Sequence, residues 1–289
     1  MSVRKAVILA AGYGTRLLPA TKAQPKEALP LVDKPIIQYT VEEAVASGLD
    51  EVIIVTSSWK RAIEDHFSRS AELEQLLEAK GDRERLEEVR RVSDLAHIIY
   101  VRQKEQRGIG DAVLTARKVV GDEPFVLMFP DDVIVSDVPA TKQAITVHEA
   151  YGGSVVAVEE VPPSEVESYG IVDGEALGAG VYRVRALIEK PAPEQAPSNL
   201  GIVGRYVLTP AIFDALDRTP PGKNGEIQIT DGLSLLLEQE AMFACRFQGT
   251  RYDTGRPLGL LKASVELALG REDIGPEFRT FLRTLDLRD

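Results

Sequence analysis

Apolar and polar positions recur along the chain in two periods, and each period predicts a kind of element. Ala6 to Ala11 is an apolar run too short for a buried helix; it stops at Gly12, as a core strand entering a tight turn would. Ile36, Ile37, Val41, Ala44 and Val45 recur at helical spacing between Pro35 and Ser47, and Gly48 ends the pattern. Val52 to Val55 reads as a second buried strand and Lys60 to Phe67 as a short helix. This alternation predicts parallel βα units. Further strands are expected at Ile98 to Val101, Phe125 to Phe129 and Ser154 to Val158. The second of these is apolar throughout and therefore central. Helices are expected from the Gly108-Ile-Gly turn onward and over Ala140 to Ala150.

The second half reads as more antiparallel. Asp173-Gly174 predicts a hairpin turn after Gly170-Ile-Val172. Tyr182, Val184, Ala186 and Ile188 alternate with Arg183, Arg185 and Glu189, the pattern of a strand with one wet face. Leu200 to Leu208 and Met242 to Phe247 are strands, Pro210 to Asp217 a helix with proline at N1, and Ile229 to Gln239 another helix. Between 70 and 95 two charged helices, 71–80 and 83–92, flank Gly81-Asp82. They read as a solvated insertion held by i,i+4 charge pairs, or as a lid or subunit contact. With no linker and no repeat, the chain is expected to be one α/β domain over 1–289. It would have a Rossmann-like, mixed, mostly parallel central sheet flanked by helices, with a helical segment at 257–289.

A chain of 289 residues, 44% hydrophobic, can bury a sizeable core. Its net charge of −11 disfavours broad attraction to nucleic acid or anionic lipid, so any phosphate site must be a local basic focus. Cys245 is the only cysteine and is expected to be a small buried residue. No h-region and no long apolar stretch is visible, so a cytoplasmic protein is expected.

Gly12 and Gly14 can take positive φ and let a ligand approach the backbone, and successive free N–H groups in such a turn cradle anions. Thr15, Arg16, Lys22 and Lys26 follow. The spacing fits no P-loop. Leu17 stands where a dinucleotide fingerprint needs a small residue, which argues against a Rossmann oxidoreductase. Asp131 and Asp132 lie at the end of a buried strand, a usual ligand position in an open α/β sheet, and Asp253 stands in a similar place. Each could instead cap a loop. His66, His97 and His148 show no pairing logic and read as structural or surface residues.

The string Gly12-Tyr-Gly-Thr-Arg-Leu-Leu-Pro, followed by Pro25-Lys-Glu-Ala-Leu-Pro-Leu-Val-Asp-Lys-Pro-Ile-Ile-Gln-Tyr39, resembles the start of the sugar-1-phosphate nucleotidyltransferases. Within them it is most similar to the bacterial UTP–glucose-1-phosphate uridylyltransferases, and the resemblance runs to Leu261. The resemblance implies UTP and glucose 1-phosphate as substrates, Mg²⁺ as cofactor and a homo-oligomer, dimer or tetramer. It implies Ala10, Ala11, Gly12, Gly14, Thr15, Arg16, Lys26, Gln103, Gly108 and Asp131 on the nucleotide side. Gln103 would read the imide edge of the base by offering donor and acceptor. Gly170, Glu189, Lys190, Asn199 and Glu226 are implied on the sugar-phosphate side. Arg16, Lys26, Asp131 and Lys190 would carry the chemistry, and Asp131 with Asp253 would hold the metal, with Asp132 left open as a further ligand. Glu189 and Lys190 can share a ligand only if the strand twists or bulges as it ends. Pro191 gives it reason to end there and restricts Lys190 to extended backbone. A thymidylyl- or adenylyl-transferring relative, or a non-catalytic nucleotide-sensing member, would share most of these motifs.

Overall fold

The computed structural model describes residues 2–222 and 225–286. Its strands are β1 (Lys5–Leu9), β2 (Pro30–Leu31), β3 (Lys34–Pro35), β4 (Glu51–Thr56), β5 (His97–Arg102), β6 (Phe125–Met128) and β7 (Asp132–Val135). There follow β8 (Ser154–Glu160), β9 (Gly170–Gly178), β10 (Val181–Glu189), β11 (Leu200–Leu208), β12 (Met242–Arg246) and β13 (Thr250–Asp253). The helices are α1 (Ile36–Ala46), α2 (Arg61–Phe67), α3 (Ala71–Lys80), α4 (Arg83–Ser93) and α5 (Ile109–Val120). After them come α6 (Ala140–Tyr151), α7 (Ala211–Asp217), α8 (Ile229–Leu237), α9 (Pro257–Gly270) and α10 (Gly275–Leu282).

Nine strands form one sheet in the order β5-β4-β1-β6-β11-β8-β12-β10-β9. The pairings β5–β4, β4–β1, β1–β6 and β8–β12 are parallel, and the other four in that order are antiparallel. The sheet is thus mixed by pairing, not predominantly parallel. Because β1 is apolar from Ala6 to Leu9, it buries both faces. Val7 packs with α5, α7 and α8 on one side, while Ala6 and Ile8 pack with α1, α2 and α6 on the other. Successive strands step outward from β1 to β4 and β5, then the chain returns to place β6 on the other side of β1. That reversal opens a crevice beyond the carboxyl ends of β1 and β6, where open α/β sheets bind ligands.

Four expectations fail locally. β9 runs straight through Asp173-Gly174, and the hairpin turns instead at Ala179-Gly180, where both residues have positive φ. In β10 a register shift between Val184 and Ala186 inverts the alternation, so Leu187 packs on the core and Ile188 faces out. Apart from Arg85 with Asp82 at i,i+3 (3.1 Å), the charge pairs of the 71–93 segment run between elements: Arg90 bonds Glu74 (3.0 Å) and Glu78 (2.7 Å), and Arg69 bonds Glu74. These two guanidinium bonds hold the Glu74 carboxyl down at about 2. The C-terminal segment is broken between Gly270 and Gly275, and the expected helix over 287–289 lies outside the described residues. No helix among the described residues is long and apolar enough to cross a membrane.

One buried charge ties the two halves of the sheet together. Arg205, in the middle of β11, is bidentate to Glu43 of α1 (2.6 and 3.0 Å) and donates to the carbonyls of Phe129, Gly204 and Asp132. Removing Glu43 would strand that guanidinium in the core. Glu43→Ala is expected to cost about 3–5 kcal/mol in chemical denaturation, whereas a surface change such as Glu72→Ala should stay within about 0.5 kcal/mol.

Candidate active site

The loop after β1 folds back on itself. Ala10 and Ala11 are buried; Ala10 N–H donates to the Val55 carbonyl (2.8 Å), and the Ala11 carbonyl accepts from Gln106 Nε2 (2.7 Å). Of the two glycines, only Gly14 takes a left-handed conformation (φ 69°), while a Cβ at Gly12 would meet nothing within 4 Å. Thr15 and Arg16 form a short 3-10 turn, and among the described residues the exposed Arg16 side chain has no partner. A Cβ at Gly14 would lie 3.1 Å from Lys26 Cβ and 3.2 Å from Thr21 Cγ2, and Thr21 Oγ1 donates to the Gly14 carbonyl (2.8 Å). The far arm of the loop is thereby brought under the glycine turn with Lys26 at its centre.

Lys26 Nζ donates to Asp131 Oδ2 at 2.5 Å. Burial works against both charges, but their mutual attraction outweighs it. The Asp131 carboxyl is held below its ordinary range and the Lys26 ammonium above its own. Asp131 and Asp132 part company here. Asp132 points inward: its Oδ2 accepts from Gly204 N–H (2.7 Å) and its Oδ1 from Arg251 Nε (2.7 Å). Asp131 keeps 28% of its side chain exposed, and its carbonyl is held by the N–H and hydroxyl of Thr254 at 2.8 and 2.9 Å. Asp253 arrives on β13, paired in register with Asp132 of β7. A Cβ at Gly255 would lie 2.8 Å from Asp131 Oδ2 and 3.1 Å from Asp253 Oδ1, so the two carboxylates stand close together at this glycine, whose N–H donates to Asp253 Oδ1 (3.0 Å).

The remaining candidates flank this centre in two groups. Gln103 Nε2 donates to Asp111 Oδ2 (2.8 Å) and reaches toward the Gly108 carbonyl (3.4 Å). A carboxylate can only accept, so the amide nitrogen faces Asp111 and Oε1 is the free end. Gln103 therefore presents chiefly its acceptor, not both functions. On the other side Gly170 pairs with Glu189, and a Cβ there would lie 3.3 Å from Glu189 Oε2.

Lys190 is not extended, as the following proline predicts, but left-handed at φ 46°. Its N–H donates to the Tyr169 carbonyl (3.0 Å), and Nζ sits 3.1 Å from Glu189 Oε1. Neighbours that a strand would turn to opposite faces now share one side, at the cost of local strain. Asn199 is exposed at the start of β11, its carbonyl accepting from Val161 N–H (2.9 Å). Glu226, expected on the sugar side, packs against Gly108: a Cβ on that glycine would lie 2.8 Å from Glu226 Cβ. Among the described residues it makes no hydrogen bond with Glu189 or Lys190.

Several residues that shape the site are unremarkable as sequence. Arg251, the bonds from Thr254, and the buried pair of Glu27 and Lys60 (2.7 Å) have no spacing signature. Arg205 alone had a signal, as a charge inside an otherwise apolar strand. His66 bonds Gln38 (2.9 Å), His148 the Gly153 carbonyl (2.6 Å), and burial pushes the Cys245 thiol up to about 11. None of these is poised as a nucleophile or base.

A glycine turn packed on a lysine lies beside two aspartates at strand ends, a setting suited to a phosphorylated ligand. The chain belongs to the nucleotidyl transferase family, whose model matches residues 5–269. Among curated relatives, the UTP–glucose-1-phosphate uridylyltransferase of Staphylococcus epidermidis is 49% identical over 285 residues, 99% of each chain. The solved structure of a UTP-bound UGPase from Acinetobacter baumannii superposes with a TM-score of 0.92 at 38% identity, covering 98% of this chain and 99% of that one. A UDP-glucose pyrophosphorylase complexed with UDP-glucose superposes at 0.86 and 43% identity, over 93% of this chain and 100% of that chain. The glycine turn offers a direct test. Gly14→Val forces a β-branched residue into positive φ and against Lys26, and should weaken nucleoside triphosphate binding at least about 100-fold by calorimetry, with an unchanged circular dichroism spectrum.

Proposed function

We propose that this protein transfers a uridylyl group from UTP to glucose 1-phosphate, releasing pyrophosphate and forming UDP-glucose. The observation that carries the reading is the convergence of Asp131 and Asp253 beside Lys26, and the substrates named for its near full-length relatives support it. An oxygen of glucose 1-phosphate bonds to the α-phosphorus of UTP. The bond from that phosphorus to the α,β-bridging oxygen breaks, and its electron pair leaves with pyrophosphate. The attacking oxygen is already anionic, so no general base is needed; the barrier is repulsion between polyanions.

The turn from Ala10 to Thr15 would cradle the triphosphate, with Arg16 and Lys26 neutralising the departing pyrophosphate. The free Oε1 of Gln103 would accept the imide N–H of uracil against Gly108. Gly170, Glu189 and Asn199 would meet the hexose and Lys190 its phosphate, while Glu226, packed against Gly108, would sit on the nucleotide side. Two partly open carboxylates facing one space suit Mg²⁺, which takes a few carboxylate oxygens and completes its shell with phosphate and water. When bound, Mg²⁺ would offset phosphate charge as the pyrophosphate leaves. Asp132 is excluded from this role by its two inward hydrogen bonds. We also propose a single cytoplasmic domain that assembles as a dimer or tetramer, the exposed Leu258 and Leu261 of α9 being the supporting feature.

Pyrophosphate release measured across a panel of NTPs and sugar 1-phosphates, with and without EDTA, should show a preference for UTP with glucose 1-phosphate and no turnover in EDTA. Asp131→Asn and Asp253→Asn should each lower turnover by about 100-fold or more while leaving the thermal transition intact. Activity of either variant in excess EDTA would refute the metal assignment, and preference for another nucleotide would refute uridylyl transfer.

Strain at Lys190 sets up a division of labour. Lys190→Ala should reduce kcat/KM about ten- to a hundredfold for every sugar 1-phosphate, the loss of a charged hydrogen bond. Glu189→Ala should instead erode the preference for glucose over its epimers. If Glu189→Ala slows all hexoses equally, the division is wrong.

A further inference from the structure

Lys60 and Glu27 are the most deeply buried ion pair among the described residues, with side chains 0% and 1% exposed. Lys60 Nζ reaches both carboxylate oxygens of Glu27, at 2.9 and 2.7 Å. Burial pushes the Glu27 carboxyl up and the Lys60 ammonium down, each opposed by the other's charge. Such a pair gives poor return in stability, because desolvating two ions consumes most of their attraction and apolar residues of similar volume serve as well or better. Its location supplies another reason. Glu27 follows Lys26 in the three-residue 3-10 turn Lys26–Ala28, which has no side-chain cap. Lys60 comes from the segment after β4, and its neighbour Trp59 stacks on Tyr13 (5.9 Å between centroids, 4° between planes), between the two glycines of the opposite arm. Residues 59 and 60 therefore contact both arms of the phosphate loop.

We propose that Lys60, acting through Glu27, is a positioning residue for the transfer reaction: it holds the Lys26–Ala28 turn so that the Lys26 ammonium stays at Asp131 and faces the phosphates. This rests on the uridylyl-transfer reading above. Lys60 is inaccessible, so its contribution passes through the turn that carries Lys26.

A double-mutant cycle tests this with the full chain. Glu27→Met/Lys60→Met removes both buried charges without leaving either unpaired, and should keep the melting temperature within a few degrees. It should lower kcat for pyrophosphate release about ten- to a hundredfold in the unsubstituted background. In a Lys26→Met background, the same pair should lower kcat by less than about threefold, because the group it positions is gone. Undiminished kcat overturns the proposal, as does an equal loss in both backgrounds, which is what a merely structural pair would give. If the double variant does not fold, Glu27→Leu/Lys60→Met, which likewise leaves neither charge unpaired, enters the same cycle with the same two outcomes. An inactive unsubstituted protein overturns the uridylyl-transfer reading along with this proposal; an active one with additive losses overturns the proposal alone.

Discussion

Two adjacent aspartates stand at the start of β7 and face opposite ways, and the site depends on how they are divided. Asp132 turns inward because Arg251 and the Gly204 N–H satisfy its carboxylate there, and Arg205 holds its carbonyl (2.7 Å). Asp131 is thereby turned outward to Lys26. The bond that buries Asp132 also anchors β13, since Arg251 stands two residues before Asp253. One inward carboxylate thus sets the position of two outward ones. A second tie runs from the same guanidinium to Glu159 and to the Tyr169 hydroxyl (2.5 and 3.1 Å), beside the Gly170 end of the sugar-side group.

Periodicity made the scaffold legible because β1, β4, β6 and β11 bury both faces, and short, largely apolar runs have few other uses. The glycine loop and the aspartates were legible through a long contiguous motif. What escaped was whatever depends on partners distant in sequence. β7 and β13 are four residues each, with polar ends, and are strands only because they pair with each other. The bulge at Arg185 leaves no trace in composition, so the wet face of β10 was misassigned beyond it. Asp173-Gly174 carries strong turn chemistry, yet cross-strand pairing with β10 keeps it extended and moves the turn to Ala179-Gly180.

Lys190 shows the same override acting on a functional residue. Local rules for a residue before proline favour extended backbone. The surrounding strand end, tied through the Lys190 N–H to the Tyr169 carbonyl, imposes a left-handed one instead. A sequence rule failing at a candidate site residue is where such failures are expected, because strain is tolerated when it delivers a geometry the relaxed chain cannot.

The closing ribbon also bears on how the protein is made. The Asp131 carboxylate pairs with Lys26, which lies 105 residues earlier and is already synthesised. Asp132, by contrast, must wait 119 residues for Arg251. On a ribosome adding about 5–20 residues per second, a carboxylate destined for burial goes without its guanidinium for roughly 6–24 seconds. Throughout that interval β7 has no partner strand. The emerging chain therefore carries its parallel core well before it carries a finished phosphate site, and a product truncated before Arg251 would retain the glycine loop without the second aspartate. Completion of the catalytic centre waits on synthesis of β13.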